Sequence, residues 1–207
     1  MSTLIPVAIS VLALAVSVFN VWLTWFHRGS VRMTVPSMVA FGYDASGQAR
    51  TFNPKVMVRT LLYCTCARGH AIETLFLRLR YQTNEYLFPI WGLCVDKLER
   101  SGGLLVTKTG VTAWHHFVGS ADLNGFQFGP GAYEIVVLAR ITDQKDPILL
   151  WSSQLVVPPE LAPKQHNGAD QLWFDRLPES GGFIARLESR DAGEQERWLS
   201  THDSSQR

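Results

Sequence analysis

Lys55-Val-Met-Val-Arg-Thr-Leu-Leu-Tyr-Cys-Thr-Cys-Ala67 alternates strictly. Val56, Val58, Thr60, Leu62, Cys64 and Cys66 form one parity, apolar or β-branched. That is the period of a strand with one face on a core. Downstream, Arg68-Gly69-His70 turns the chain, and Leu75, Leu77, Leu79 and Tyr81 line the next apolar face opposite Arg78 and Arg80. Tyr86 to Val95 is apolar but interrupted by Pro89 and Gly92, which predicts an edge-like or bulged strand. Leu104–Val106 and Val111–Val118 flank Lys108-Thr109-Gly110, a hairpin signal. Tyr133, Ile135, Val137, Ala139 and Ile141 alternate cleanly, and Ile148 to Val157 closes the series before Pro158-Pro159. Between residues 31 and 157 no stretch combines a helical period with caps. Short strands at turn-rich spacing predict an antiparallel β-sandwich over residues 29–157.

Upstream, the pattern changes. Leu4 to Phe26 contains no charged side chain. A helix of that length spans about 34 Å, enough for a hydrocarbon core of about 30 Å. Trp22, Trp25 and Phe26 cluster at its end, followed by His27, Arg28 and Arg32. Amphipathic aromatics followed by cations mark the headgroup layer, so Trp22, Trp25, Arg28 and Arg32 are the expected membrane-interface residues. A cleaved signal peptide fits less well: Met-Ser-Thr carries no cation, and the run lacks a small pair at its end. Residues 1–28 are therefore expected to be an uncleaved transmembrane anchor. Ser10, Ala13, Ser17, Asn20 and Thr24 recur at steps of three and four, within an arc of about 80°. Such a small and polar stripe is a candidate helix–helix seam, for a homo-oligomer or a larger membrane partner.

Charge is uneven. Residues 1–59 hold five Lys/Arg against Asp44 alone, residues 60–157 eight of each sign, and residues 158–207 six basic against nine acidic. With no cation before the helix and several after it, the positive-inside rule places the body in the cytoplasm. Anionic lipid can also attract the basic neck. Cys64, Cys66 and Cys94 are an odd number, which suits a reducing compartment better than a disulfide framework. The formal net charge of +1 provides no field for nucleic acid, and none is expected as a partner. Residues 158–207 read as a linker and a partly disordered acidic tail. Within it, Leu172-Trp173-Phe174 and Phe183-Ile184 with Leu187 are apolar islands, which either dock on the sandwich or act as a linear motif.

Chemistry-bearing residues are sparse. Cys64, Cys66, His70, Cys94, His115 and His116 are the one metal-like set. Its spacing departs from the usual knuckle, and neighbouring histidines on a strand face opposite ways. The two cysteines on the apolar parity read as core residues, which also removes them as nucleophiles. No phosphate-binding loop, nucleophile elbow or supported carboxylate pair occurs. No catalytic, cofactor-binding or metal residue is assigned, and no cofactor is expected. Trp91, Trp114, Trp151, Trp173 and Trp198 could line a sugar-binding surface, but isolated strand tryptophans more often belong to a core.

Phe128-Gly-Pro-Gly-Ala-Tyr-Glu-Ile-Val-Val137 resembles the late strand entry of immunoglobulin-like and fibronectin-like sandwiches. The layout as a whole resembles bacterial single-pass, membrane-anchored Ig-like β-sandwich proteins without an assigned activity. The resemblance implies an Ig-like fold and a place in the bacterial inner membrane, and it supplies no active residues. The expected function is a non-enzymatic interaction module tethered to the lipid bilayer. The alternative is an outward-facing module for an envelope ligand such as glycan or peptide.

Overall fold

A computed structural model describes residues 4–25, 29–44, 53–123, 126–142, 144–162 and 170–189. The first element is the helix α1 (Leu4–Trp25), 22 residues long. It is long and apolar enough to cross a membrane, and nothing in its Ile5–Trp22 window is buried within the protein. A core helix of a soluble domain would bury one face.

Strands follow: β1 (Val31–Met33), β2 (Met38–Asp44), β3 (Asn53–Cys64), β4 (His70–Tyr81), β5 (Asn84–Cys94), β6 (Leu98–Arg100), β7 (Leu104–Val106), β8 (Val111–Val118), β9 (Gly131–Ile141), β10 (Ile148–Val157), β11 (Asp170–Arg176) and β12 (Phe183–Ser189). The chain is thus mainly antiparallel β behind one apolar helix. The main path of neighbours is β10-β9-β4-β5-β8-β3-β2-β11-β12, with β1 on β3, β6 on β5 and β7 on β4. Trp151 of β10 and Phe183 of β12 meet edge-to-face at 6.1 Å, so the two ends of the path approach and the sheet nearly closes.

The alternating residues of β3 and β4 do face inward: Val56, Val58, Leu62, Leu77 and Leu79 are at most 1% exposed. β5 is bulged between Ile90 and Gly92, as the proline and glycine suggest, yet it is central and not an edge. Its first part pairs with β4 up to Pro89, and its second part with β8 from Ile90. Pro89 has no N–H to donate, and the strand changes partner there. This one strand joins the two layers.

The expected hairpin across Lys108–Gly110 is not formed. β7 pairs with β4 and β8 with β3, so the turn carries the chain from one layer to the other. Gly110 is required at that crossing: its φ is +75°, and a Cβ would lie 2.6 Å from the Leu62 carbonyl oxygen. Strands also resume after the expected end of the sandwich at Val157. The islands Leu172–Phe174 and Phe183–Leu187 form the β11–β12 hairpin, and β11 extends the sheet beside β2, with Leu172 opposite Phe41 and Phe174 opposite Val39.

Aromatic rings fill the centre. Phe41 stacks on Phe128 at 4.6 Å and meets Phe174 and Tyr133 edge-on at 4.9 and 5.5 Å. Tyr133 Oη donates to the Gly129 carbonyl and Tyr81 Oη to the Pro130 carbonyl, both at 2.9 Å. Tyr133 buries its ring, Tyr81 packs half-buried against it, and both hydroxyls are satisfied, which fixes the segment entering β9.

Candidate functional site

The outer face of the layer containing β3 is built by the other parity of the same strands. Lys55, Met57 and Arg59 point away from the core. Cross-strand register sets Ala40 and His116 beside Met57, Trp173 beside Ala40, and Arg186 beside Trp173. One step along, Trp114 lies beside Arg59. Ala40 is small, and the indoles of Trp114 and Trp173 converge across it and Met57, edge-to-face at 5.4 Å. They cover what lies beneath: Ala40 and Met57 are buried although they face outward. Trp91, from the bulge of β5, adds a third half-buried indole. Trp151 instead belongs to the core, and Trp198 lies outside the described residues.

Cations sit on these rings. Arg59 lies 5.8 Å from the Trp114 ring, Arg186 5.5 Å from Trp173, and Lys55 and Arg100 each 5.8 Å from Trp91. Each such contact is worth about 0.5–1 kcal/mol where exposed and more where desolvated. Arg186 is neutralised by Asp175 and by Glu188, the latter at 2.6 Å. Arg59 and Arg100 have no carboxylate within 4.0 Å among the described residues. The face is therefore aromatic with surplus positive charge. Sequence alone named its tryptophans, but their convergence depends on a register that local pattern does not encode.

The opposite layer presents a different face. Arg80 bridges Glu85 and Glu134 at 3.2 and 2.9 Å, and Arg78 reaches Glu85 at 3.7 Å. All four side chains are more than a third exposed, so this is a solvated ion-pair network of small energy.

Cys64 and Cys66 are buried at the end of β3, as core residues should be. Their sulfurs are 3.0 Å apart, and the Cys66 N–H donates to Cys64 Sγ at 3.3 Å. His70, the first residue of β4, brings its ring to the same place: the three donor atoms lie within 4.8 Å of one another. Burial and the neighbouring Cys66 push the Cys64 thiol up from its usual pKa. That opposes a standing nucleophilic thiolate. Cys94 lies apart, opposite Trp114.

His115 and His116 face opposite sides of β8, as the strand period requires. His115 is 1% exposed, and its Nε2 has no hydrogen-bond partner among the described residues. It faces a gap lined by Met33, Thr60, Leu75 and Val137 that admits no water-sized sphere. Burial lowers its pKa from 6.5 to about 4. The unfolded chain then binds more protons than the folded one across that interval. Stability should be full above pH 6.5 and fall, by roughly 3 kcal/mol in total, as pH drops to about 4. Urea unfolding followed from pH 7 to pH 4 reads this slope, and His115→Leu should flatten it.

Of the seam residues, Ser10 Oγ donates to the Pro6 carbonyl at 2.9 Å and Ser17 Oγ to the Ala13 carbonyl at 2.8 Å. Both hydroxyls are satisfied within the helix. Ser10, Ala13, Ser17 and Asn20 are all exposed. Thr24 and Trp25 belong to α1, but their side chains are outside the described set, as is Arg28. Trp22 stacks on Phe19 at 6.2 Å. Arg32, on β1, donates from Nε to Ser30 Oγ at 3.1 Å. Comparison of the chain with protein-family models, with curated proteins and with solved structures gives no match in any of the three.

Proposed function

We propose that this protein is a non-enzymatic, single-pass membrane protein whose β body is a protein-interaction module. α1 tethers it to the bacterial inner membrane with the body on the cytoplasmic side. The observation that carries this reading is α1 itself, whose membrane-length apolar window buries nothing against the body. Flanking charge supports the orientation: Arg32, Lys55 and Arg59 follow the helix. Tethering raises the effective concentration of the body for other membrane-bound proteins without any added contact.

The body is read here as Ig-like. The path β5-β4-β9-β10 beside β2-β3-β8 has the order expected of the C′-C-F-G and A-B-E strands of such a sandwich. Tyr133, near the start of β9, bonds a carbonyl four residues upstream, as a tyrosine corner does. The aromatic, cationic face is the docking surface, and its partner is a protein segment rich in carboxylates. Charge complementarity supports that choice, since Arg59 and Arg100 carry charge on indole rings with no acidic partner among the described residues. The second reading, an outward-facing module for envelope glycan or peptide, is favoured by the grouping of Trp91, Trp114 and Trp173 on one face.

Reporter fusions separate the two. A carboxy-terminal phosphatase fusion should be inactive and a fluorescent-protein fusion bright; an active phosphatase would overturn the cytoplasmic placement. Titration of the detergent-solubilised chain with a Glu-rich peptide should change indole fluorescence. Arg59→Glu with Arg100→Glu should weaken binding by at least tenfold, whereas a neutral oligosaccharide should leave the signal unchanged. For the seam, Ser17→Cys and Asn20→Cys should cross-link more efficiently than Leu12→Cys; equal yields would remove it.

A further inference from the structure

We propose that Cys64, Cys66 and His70 bind one zinc ion, at the point where the neck after α1 is clipped to the body. The donor set is two thiols and one imidazole, a combination that zinc accepts with a fourth position left open. The geometry is close to what the ion needs. At Zn–S of about 2.3 Å and a tetrahedral angle, two bound sulfurs stand about 3.8 Å apart. Here they are 3.0 Å apart, and all three donor atoms fall within 4.8 Å, so side-chain adjustments of about 1 Å suffice.

The spacing Cys-x-Cys would not by itself hold an ion on a flat strand. The structure adds two things. The chain leaves β3 at Cys64 and re-enters β4 at His70, which folds the imidazole back toward both sulfurs. The Cys66 N–H also points at Cys64 Sγ, which ties the two cysteines to each other. A cation between two adjacent sulfurs removes the repulsion that two bare thiolates would feel. Binding releases the two thiol protons to solvent while zinc takes up the two thiolates and the neutral imidazole nitrogen.

The location gives the site a consequence. Ser30 N–H donates to Thr65 Oγ1 at 2.8 Å, and Thr65 N–H donates to the Ser30 carbonyl at 3.0 Å. Gly29 packs so closely on the turn that a Cβ there would lie 2.6 Å from Cys66 Cβ. The neck therefore rests on Thr65 and Cys66, one between the two thiol ligands and one of them, and zinc would tighten the joint between anchor and body.

The test uses the full chain in detergent under a phosphine reductant, titrated with zinc against a chromophoric chelator. One equivalent per chain is expected, with about two protons released. Cobalt in place of zinc should give the thiolate charge-transfer absorption and visible bands of a tetrahedral site. Cys64→Ala and Cys66→Ala should each weaken uptake by more than the roughly 10–100-fold expected of an outer-shell partner. His70→Ala should weaken it at least tenfold, and Cys94→Ala should leave it unchanged. If the buried cysteine variants do not fold, the wild-type melting temperature still decides: it should rise with zinc, not with magnesium, and the rise should shrink in His70→Ala. No stoichiometric uptake, no melting shift, or uptake undiminished in folded Cys64→Ala/Cys66→Ala overturns the proposal.

Discussion

Replacing Phe41 by alanine should destabilise the body by about 3–5 kcal/mol, the usual cost of emptying a buried aromatic position. Among the described residues Phe41 meets rings from three parts of the chain: Phe128 in the segment entering β9, Tyr133 in β9 and Phe174 in β11. None of these neighbours can fill the space without leaving its own contacts, so the cavity should persist. Most single domains have only about 5–15 kcal/mol of stability, so the variant should unfold at a much lower urea midpoint. Ending the chain at Val157 should do more. It removes β11 and β12, strips Phe174 and Leu172 from the core, and leaves β2 as an open apolar edge. The expected product aggregates or melts without a cooperative transition. A truncated chain that melts like the full one would mean that the hairpin is an ornament and the core ends where the strand pattern first does.

Placing arginine at Leu12 and Ala15, on the side of α1 away from the serine stripe, should displace the protein from membranes. Each arginine near the middle of a spanning helix costs about 2.5–3.5 kcal/mol for insertion. Together they outweigh what a run of leucine and valine supplies at fractions of a kcal/mol per residue. The membrane-bound fraction of the double variant should fall to a minor share, while the body, which shares no buried contact with Ile5–Trp22, should melt as before. Ser10→Leu with Ser17→Leu should stay in the membrane, because both hydroxyls already bond their own helix and their loss leaves no orphaned group. Quantifying the protein in pelleted and soluble fractions separates the two variants.

Much of the β body was legible because its strands carry a clean two-residue period. Val56 to Cys64 and Leu75 to Leu79 bury the residues that the pattern selects, and Tyr81 packs half-buried against the core. Pairing was less legible, for physical reasons. Lys108-Thr-Gly110 has hairpin chemistry, but Gly110 serves a crossing between layers that depends on Leu62 lying against it. β11 is short, and its partner β2 lies far away in sequence, so nothing local decides between docking and a free motif. The candidate face was legible as residue types only. Trp114 and Trp173 meet because β3 and β2 lie between their strands and Ala40 is small, which is a property of register. His70 was read as a turn residue; that the turn brings it to the two sulfurs follows from the return of the chain into β4.

The central claim is that α1 is a permanent membrane anchor. Alkaline carbonate extraction of isolated membranes, followed by intact mass of the protein, tests it most directly. The account expects the protein in the pellet with Leu4–Phe26 still part of the mature chain. A protein released into the supernatant, or a mature chain beginning after Phe26, would contradict it.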